Sequence, residues 1–224
     1  MVQQATTPRL RRGQWQSMTW DEFLAWAPDE GQAEWIDGEG IAYVSNSTGH
    51  VDLEGFLVVL LRHFVLVYGL GRVFASTALM TVPTRPAGRM PDVFVVLTEH
   101  LDRVHERWVD GPADFAIELV SEESFERDTI EKLLEYQRLG VREYLLIDTR
   151  PGQTGFRFLR LDTDGLYAEV EPDEQGRYHS QVLPGFWLDP DWFRQDPLPN
   201  PLAVLRLISH DAWQRLVSEV ETGS

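Results

Sequence analysis

Apolar positions in the first half of the chain follow two rhythms. Spacing in threes and fours from Ser17 to Trp26 predicts a short helix, with Thr19 at its N-cap and Glu22 three positions on, the pairing of a capping box. Ala33 to Tyr43 reads as a β-hairpin, Ala-Glu-Trp-Ile answered by Gly-Ile-Ala-Tyr-Val, turning at Asp37-Gly38. His50 to Tyr68 is a long, mostly apolar helix that stops at Gly69. Arg72 to Val82, rich in small and branched residues, reads as a strand. Val93 to Leu97 and Phe115 to Val120 are continuous apolar strands, the second interrupted only by Glu118. Asp128 to Leu139 reads as a helix with Asp128 and Glu131 as its capping pair and Gly140 as its stop, and Tyr144 to Ile147 as one more buried strand.

This order predicts an α/β (α+β) fold with a mixed central sheet flanked by helices. Past Gly155, the segments Phe156 to Leu161, Leu166 to Val170 and Tyr178 to Leu183 read as an antiparallel meander extending the same sheet. Asp162-Thr163-Asp164-Gly165 hints at a calcium loop but lacks the remaining ligand spacing, so it reads as a hairpin turn. Pro197, Pro199 and Pro201 interrupt the chain before a last helix, Ala203 to Val220. The expected organisation is a flexible arm over 1–16, one domain over 17–195, and a proline-rich link with a C-terminal helix over 196–224.

Composition narrows the chemistry. Among 224 residues there is no cysteine, which excludes disulfides, thiolate zinc sites and thiol nucleophiles. No stretch has signal-peptide character, and the longest purely apolar run, Phe56 to Leu61, is too short to span a membrane. A cytoplasmic protein is the expectation. The net charge of −16 opposes nucleic-acid binding, which rewards clustered Lys and Arg. Arg85, Arg89, Arg103 and Arg107, which bracket Pro91-Asp92, read either as a local basic rim or as solvated surface. The eight tryptophans read as packing. Of 20 basic residues only Lys132 is lysine. Chance leaves one lysine; so does a site that needs a compact ammonium, which arginine does not supply.

Glu118 is the most informative position. An ionised carboxylate within Phe115-Ala116-Ile117-Glu118-Leu119-Val120 costs several kcal/mol unless something compensates it. Asp92 opens the preceding apolar strand. Neighbouring strands lie about 4.8 Å apart, so carboxylates from both can bracket one divalent ion, and oxygen ligands suit Mg²⁺ or Mn²⁺. Lys132, Tyr136 and Leu139 form one stripe of the next helix. Taken alone, Lys132 fits a solvated helix face; set after the two carboxylates, it can orient an attacking water.

The ordered motifs Arg89-Met90-Pro91-Asp92-Val93, Phe115-Ala116-Ile117-Glu118-Leu119-Val120-Ser121, and Asp128 through Lys132 and Tyr136 to Asp148 resemble the Uma-type restriction endonuclease family of the PD-(D/E)XK nuclease superfamily. Ala33 to Glu39, His50 and Ser180 to Phe186 resemble further family positions, so the resemblance covers roughly 17–195. It implies a restriction-endonuclease-like fold with a C-terminal antiparallel β extension, and a metal-dependent endonuclease acting on DNA. Asp92 and Glu118 would hold Mg²⁺ or Mn²⁺ with the Leu119 carbonyl, and Lys132 would position the water. Glu34, His50 and Tyr136 are secondary candidates. The superfamily's usual lysine stands two residues after the glutamate; here that position is Val120, and the resemblance moves the lysine to the following helix. A homodimer is expected for cutting two strands. The alternative is a non-catalytic binding or assembly module of the same fold.

Overall fold

A computed structural model describes residues 13–43, 47–75, 78–82, 86–150, 152–153 and 155–222. The expected arm falls mostly on residues outside that set. Its last residue joins the first of the expected helix in a strand, Gln16–Ser17 (β1), which pairs with the hairpin, so the first helix begins later, at Trp20. That helix (α1, Trp20–Glu30) opens with Thr19 and Glu22 each accepting the other's backbone N–H, the reciprocal capping box the sequence predicts. The hairpin is β2 (Ala33–Ile36) with β3 (Glu39–Ala42), and Asp37 and Gly38 both adopt positive φ, the shape a two-residue turn needs.

α2 (Thr48–Val67) buries Leu53, Phe56, Leu57, Leu60, Leu61 and Phe64 along one stripe. Each fully buried side chain of this kind contributes about 1.5–3 kcal/mol. The segment read as one strand over 72–82 is instead β4 (Gly71–Ala75) and β5 (Leu79–Thr81), which lie in different sheets. β4 leaves no room at its start. A Cβ on Gly71 would stand 2.1 Å from the Val96 carbonyl oxygen across the ladder.

The remaining strands are β6 (Ala87–Arg89), β7 (Val93–Leu97), β8 (Trp108–Val109), β9 (Phe115–Val120), β10 (Glu143–Asp148), β11 (Phe156–Leu161), β12 (Tyr167–Glu169), β13 (Tyr178–His179) and β14 (Trp187–Leu188). One six-stranded sheet runs β12-β11-β10-β9-β7-β4, mixed because β9 and β10 are parallel. The other runs β1-β3-β2-β6-β5-β8. The expected meander is therefore only partly present. β11 and β12 extend the mixed sheet, but β13 leaves it to pair with β14. Glu143 anchors this return, accepting from Ser180 Oγ, from Gln181 N and from Arg160 Nε.

Between β9 and β10 the chain is a π-helical turn, Arg127–Glu131, leading into α3 (Lys132–Leu139), which Gly140 ends in the left-handed region. Asp128 and Glu131 do not cap this helix. Helical backbone already begins at Phe125, after a Ser121–Ser124 turn in which each serine Oγ accepts the other's N–H, so Asp128 is a full turn inside. The C-terminal helix is also two: α4 (Pro201–Ile208), capped by Asn200, and α5 (His210–Thr222). They part at Ser209, whose Oγ accepts from Ala212 N. Val204, Leu205 and Ala212 join the core beneath α2. No described helix is long and apolar enough to cross a membrane.

Candidate metal and phosphodiester site

Strand alternation sorts β9 between two layers. Phe115, Ile117 and Leu119 enter the core with α2, while Ala116 and Val120 pack with Tyr136 of α3, and Glu118 shares their face. β7 pairs antiparallel with β9, Val93 opposite Ile117. Continuing that register sets Asp92 across from Glu118. The contact is direct on one side: Leu119 N donates to Asp92 Oδ2 at 2.7 Å. The other oxygen, Oδ1, accepts from Gln32 Nε2 at 3.0 Å and stands 3.3 Å from His50 Nε2.

Lys132 reaches this face from α3. Its Nζ lies 2.9 Å from Glu118 Oε1, 3.0 Å from Glu34 Oε1 and 3.4 Å from Asp128 Oδ1. Tyr136 OH donates to the same Glu118 oxygen at 3.0 Å. Lys132 is thus not on a solvated face; it is 1% exposed. Val120 fills the usual lysine position with core packing, and the ammonium arrives across the layer.

Arg89, read as rim or surface, is instead buried. It donates from Nη1 to Glu34 Oε2 at 2.9 Å and from Nε to Glu135 Oε2 at 2.6 Å. Tyr43 OH completes Glu34 Oε2 at 2.8 Å. Arg127 stacks 4.1 Å above the Tyr43 ring and sets Nε 3.4 Å from Asp128 Oδ1. Asp128 Oδ1 is buried and makes no hydrogen bond. Asp92, Glu118, Leu119, His50, Asp128 and Arg127 line a pocket of about 30 Å³, room for a water or a small ion.

Charge decides what this pocket favours. Glu34, Asp92, Glu118, Asp128 and Glu135 face three permanent cations, Arg89, Arg127 and Lys132. With every carboxylate ionised, two negative charges remain. Burial pushes the Glu118 carboxyl well above its usual range; Lys132 opposes this, while Asp128 and Asp92 add to it. Burial also pushes Glu34 up, but Lys132, Arg89 and Arg127 outweigh it and hold Glu34 below the usual range. Burial lowers His50, and Asp92, with Glu54 and Asp128, more than offsets that, leaving it raised.

Among the described residues, the acid and histidine trio whose donor atoms all lie within 4.8 Å of one another is Glu99, His100 and Asp114, not Asp92, Glu118 and Asp128. Asp114 precedes β9, at the end of that strand away from the pocket. The Arg142 guanidinium stands 3.5 Å from Glu99 and 3.7 Å from Asp114, a cation already in place. At the pocket, Asp92 and Glu118 are each held by their own protein partners, Leu119 N–H and Gln32 for the first and Lys132 and Tyr136 for the second.

The family model Uma2, described as "Putative restriction endonuclease", matches residues 20–191. The chain belongs to the Uma2 family. Its fold is similar to that of a solved structure from Anabaena variabilis ATCC 29413, titled a "putative nuclease belonging to DUF820", with a TM-score of 0.61 and 18% identity over 77% of this chain and 95% of that one. No curated protein matches the chain. Uma2 membership and the nuclease fold agree with the architecture expected from the ordered motifs.

Within this Uma2 chain the structure brings together Asp92, Glu118, Leu119 and Lys132, with Glu34, His50 and Tyr136 around them. Sequence reasoning missed Asp128, Glu135, Arg89 and Arg127. Two of these carried a signal: Asp128 and Glu135 stand four before and three after Lys132, on the same helix face.

Proposed function

We propose that the chain is a divalent-metal-dependent endonuclease that hydrolyses DNA phosphodiester bonds, with residues 17–195 as its nuclease-like domain. The observation that carries this is the excess of buried carboxylate around an ion-sized pocket. Five carboxylates against three cations is a costly arrangement that one divalent ion balances. All-oxygen donors suit Mg²⁺ or Mn²⁺. Asp92 and Glu118 would hold the ion with the Leu119 carbonyl, and Asp128, with its unbonded Oδ1, stands beside them. A bound ion supplies polarisation of the scissile phosphate and a lowered pKa for a bound water.

The chain's own residues do the rest. Tyr136 and Lys132 fix the Glu118 carboxylate by donating to Oε1. Lys132 positions the attacking water and balances charge as it builds on the phosphate. Gln32 and Leu119 N–H fix Asp92. Arg89 holds Glu34 and Glu135 in an outer layer, and His50, at the pocket, contacts substrate. Two strands need two such sites, so the proposed assembly is a homodimer.

Purified protein is expected to nick supercoiled plasmid with Mg²⁺ or Mn²⁺ and to stop in EDTA, sedimenting as a dimer under the same conditions. Inertness with either metal, alongside intact DNA binding, favours the non-catalytic module instead. Sedimentation at the mass of one chain contradicts the dimer.

A further inference from the structure

We infer that Arg127 is a substrate-binding residue of this pocket, its guanidinium taking the non-bridging oxygens of a phosphate in the nucleic-acid strand. The inference rests on the nuclease reading and adds to it the group that recognises the substrate's charge. The pocket is lined by Asp92, Glu118, Glu123 and Asp128, which repel a phosphodiester. Among its described lining residues Arg127 is the single arginine or lysine.

The other two cations do not line the opening. Lys132 is 1% exposed among three carboxylates, and Arg89 is 2% exposed between Glu34 and Glu135. Arg127 is different in both respects. Its side chain is 20% exposed, so it reaches the opening. Its Nε is buried without a hydrogen bond, with the Asp128 carboxylate 3.4 Å away. Stacking on Tyr43 fixes the guanidinium plane, and with Nε enclosed it is the edge carrying the two terminal nitrogens that is left to donate. That edge is the fork that matches phosphate oxygens two at a time. The backbone agrees: Arg127 opens the π-helical turn, a feature concentrated at functional sites, and Asp128 follows it in the same turn.

The test compares wild type with Arg127→Met, which keeps a stem over Tyr43, and Arg127→Lys, which keeps the charge but not the fork. Nicking kinetics are read together with duplex binding over a salt series, the latter in EDTA in a Glu118→Gln background, so that the DNA stays intact. Arg127→Met is expected to raise KM about 10-fold or more and to flatten the slope of log affinity against log salt by about 0.9. Arg127→Lys is expected to recover the slope and only part of the affinity. A purely structural role would instead lower the melting temperature and kcat and leave the salt slope alone; that result overturns the inference while the nuclease reading stands. Wild type that neither binds nor nicks DNA overturns both.

Discussion

Glu118→Gln is expected to lower the Mg²⁺-dependent nicking rate by at least about 10²-fold while leaving the unfolding midpoint unchanged or higher. The amide oxygen still accepts from Lys132 and Tyr136, so the hydrogen bonds at Oε1 survive. The substitution removes one of five crowded carboxylates, the one that burial and two neighbouring acids already drive toward its neutral form. The folded protein loses little. The metal loses a charged ligand, and several kcal/mol of charge stabilisation at about 1.4 kcal/mol per decade gives the stated factor. Parallel urea melts and nicking rates check this. Activity within a factor of ten of wild type would remove Glu118 from the chemistry.

Arg89→Met is expected to act in the opposite way, on stability first. Arg89 is nearly fully buried and holds Glu34 and Glu135 from two different elements, β2 and α3. Removing one partner of a buried ion pair leaves uncompensated charge and costs about 3–5 kcal/mol. The double variant Arg89→Met/Glu135→Gln should regain part of that loss, because one stranded carboxylate disappears. Chemical denaturation of the three proteins measures both effects. A loss below about 1 kcal/mol, the range of exposed pairs, would mean that Arg89 does not tie β2 to α3 as described.

Much of this was legible where the determining contacts are local. The Thr19–Glu22 box, the Asp37-Gly38 turn and the apolar stripe of α2 depend on residues within four positions of one another, and they appear as read. Asp92 and Glu118 were legible as a pair because two consecutive apolar strands became neighbours. Long-range choices were not legible. Nothing local distinguishes buried Arg89 from a solvated rim arginine; its environment is set when β6 pairs with β2 beside α3. Asp128 does not cap the helix as its spacing predicts, because Ser121 and Ser124 begin the helix earlier than the apolar spacing suggests. The split of 72–82 between two sheets and the departure of β13 likewise follow from tertiary pairing.

In the proposed function Asp92 and Glu118 hold one metal ion, with Lys132 beside it on the neighbouring helix. Crystals soaked in Mn²⁺ and measured at the manganese absorption edge test it most directly. The account predicts an anomalous peak in the pocket between Asp92 and Glu118, with Asp128 beside it and Lys132 behind, and loss of that peak in Asp92→Asn. A peak confined to Glu99, His100 and Asp114, or none at saturating Mn²⁺, would contradict it.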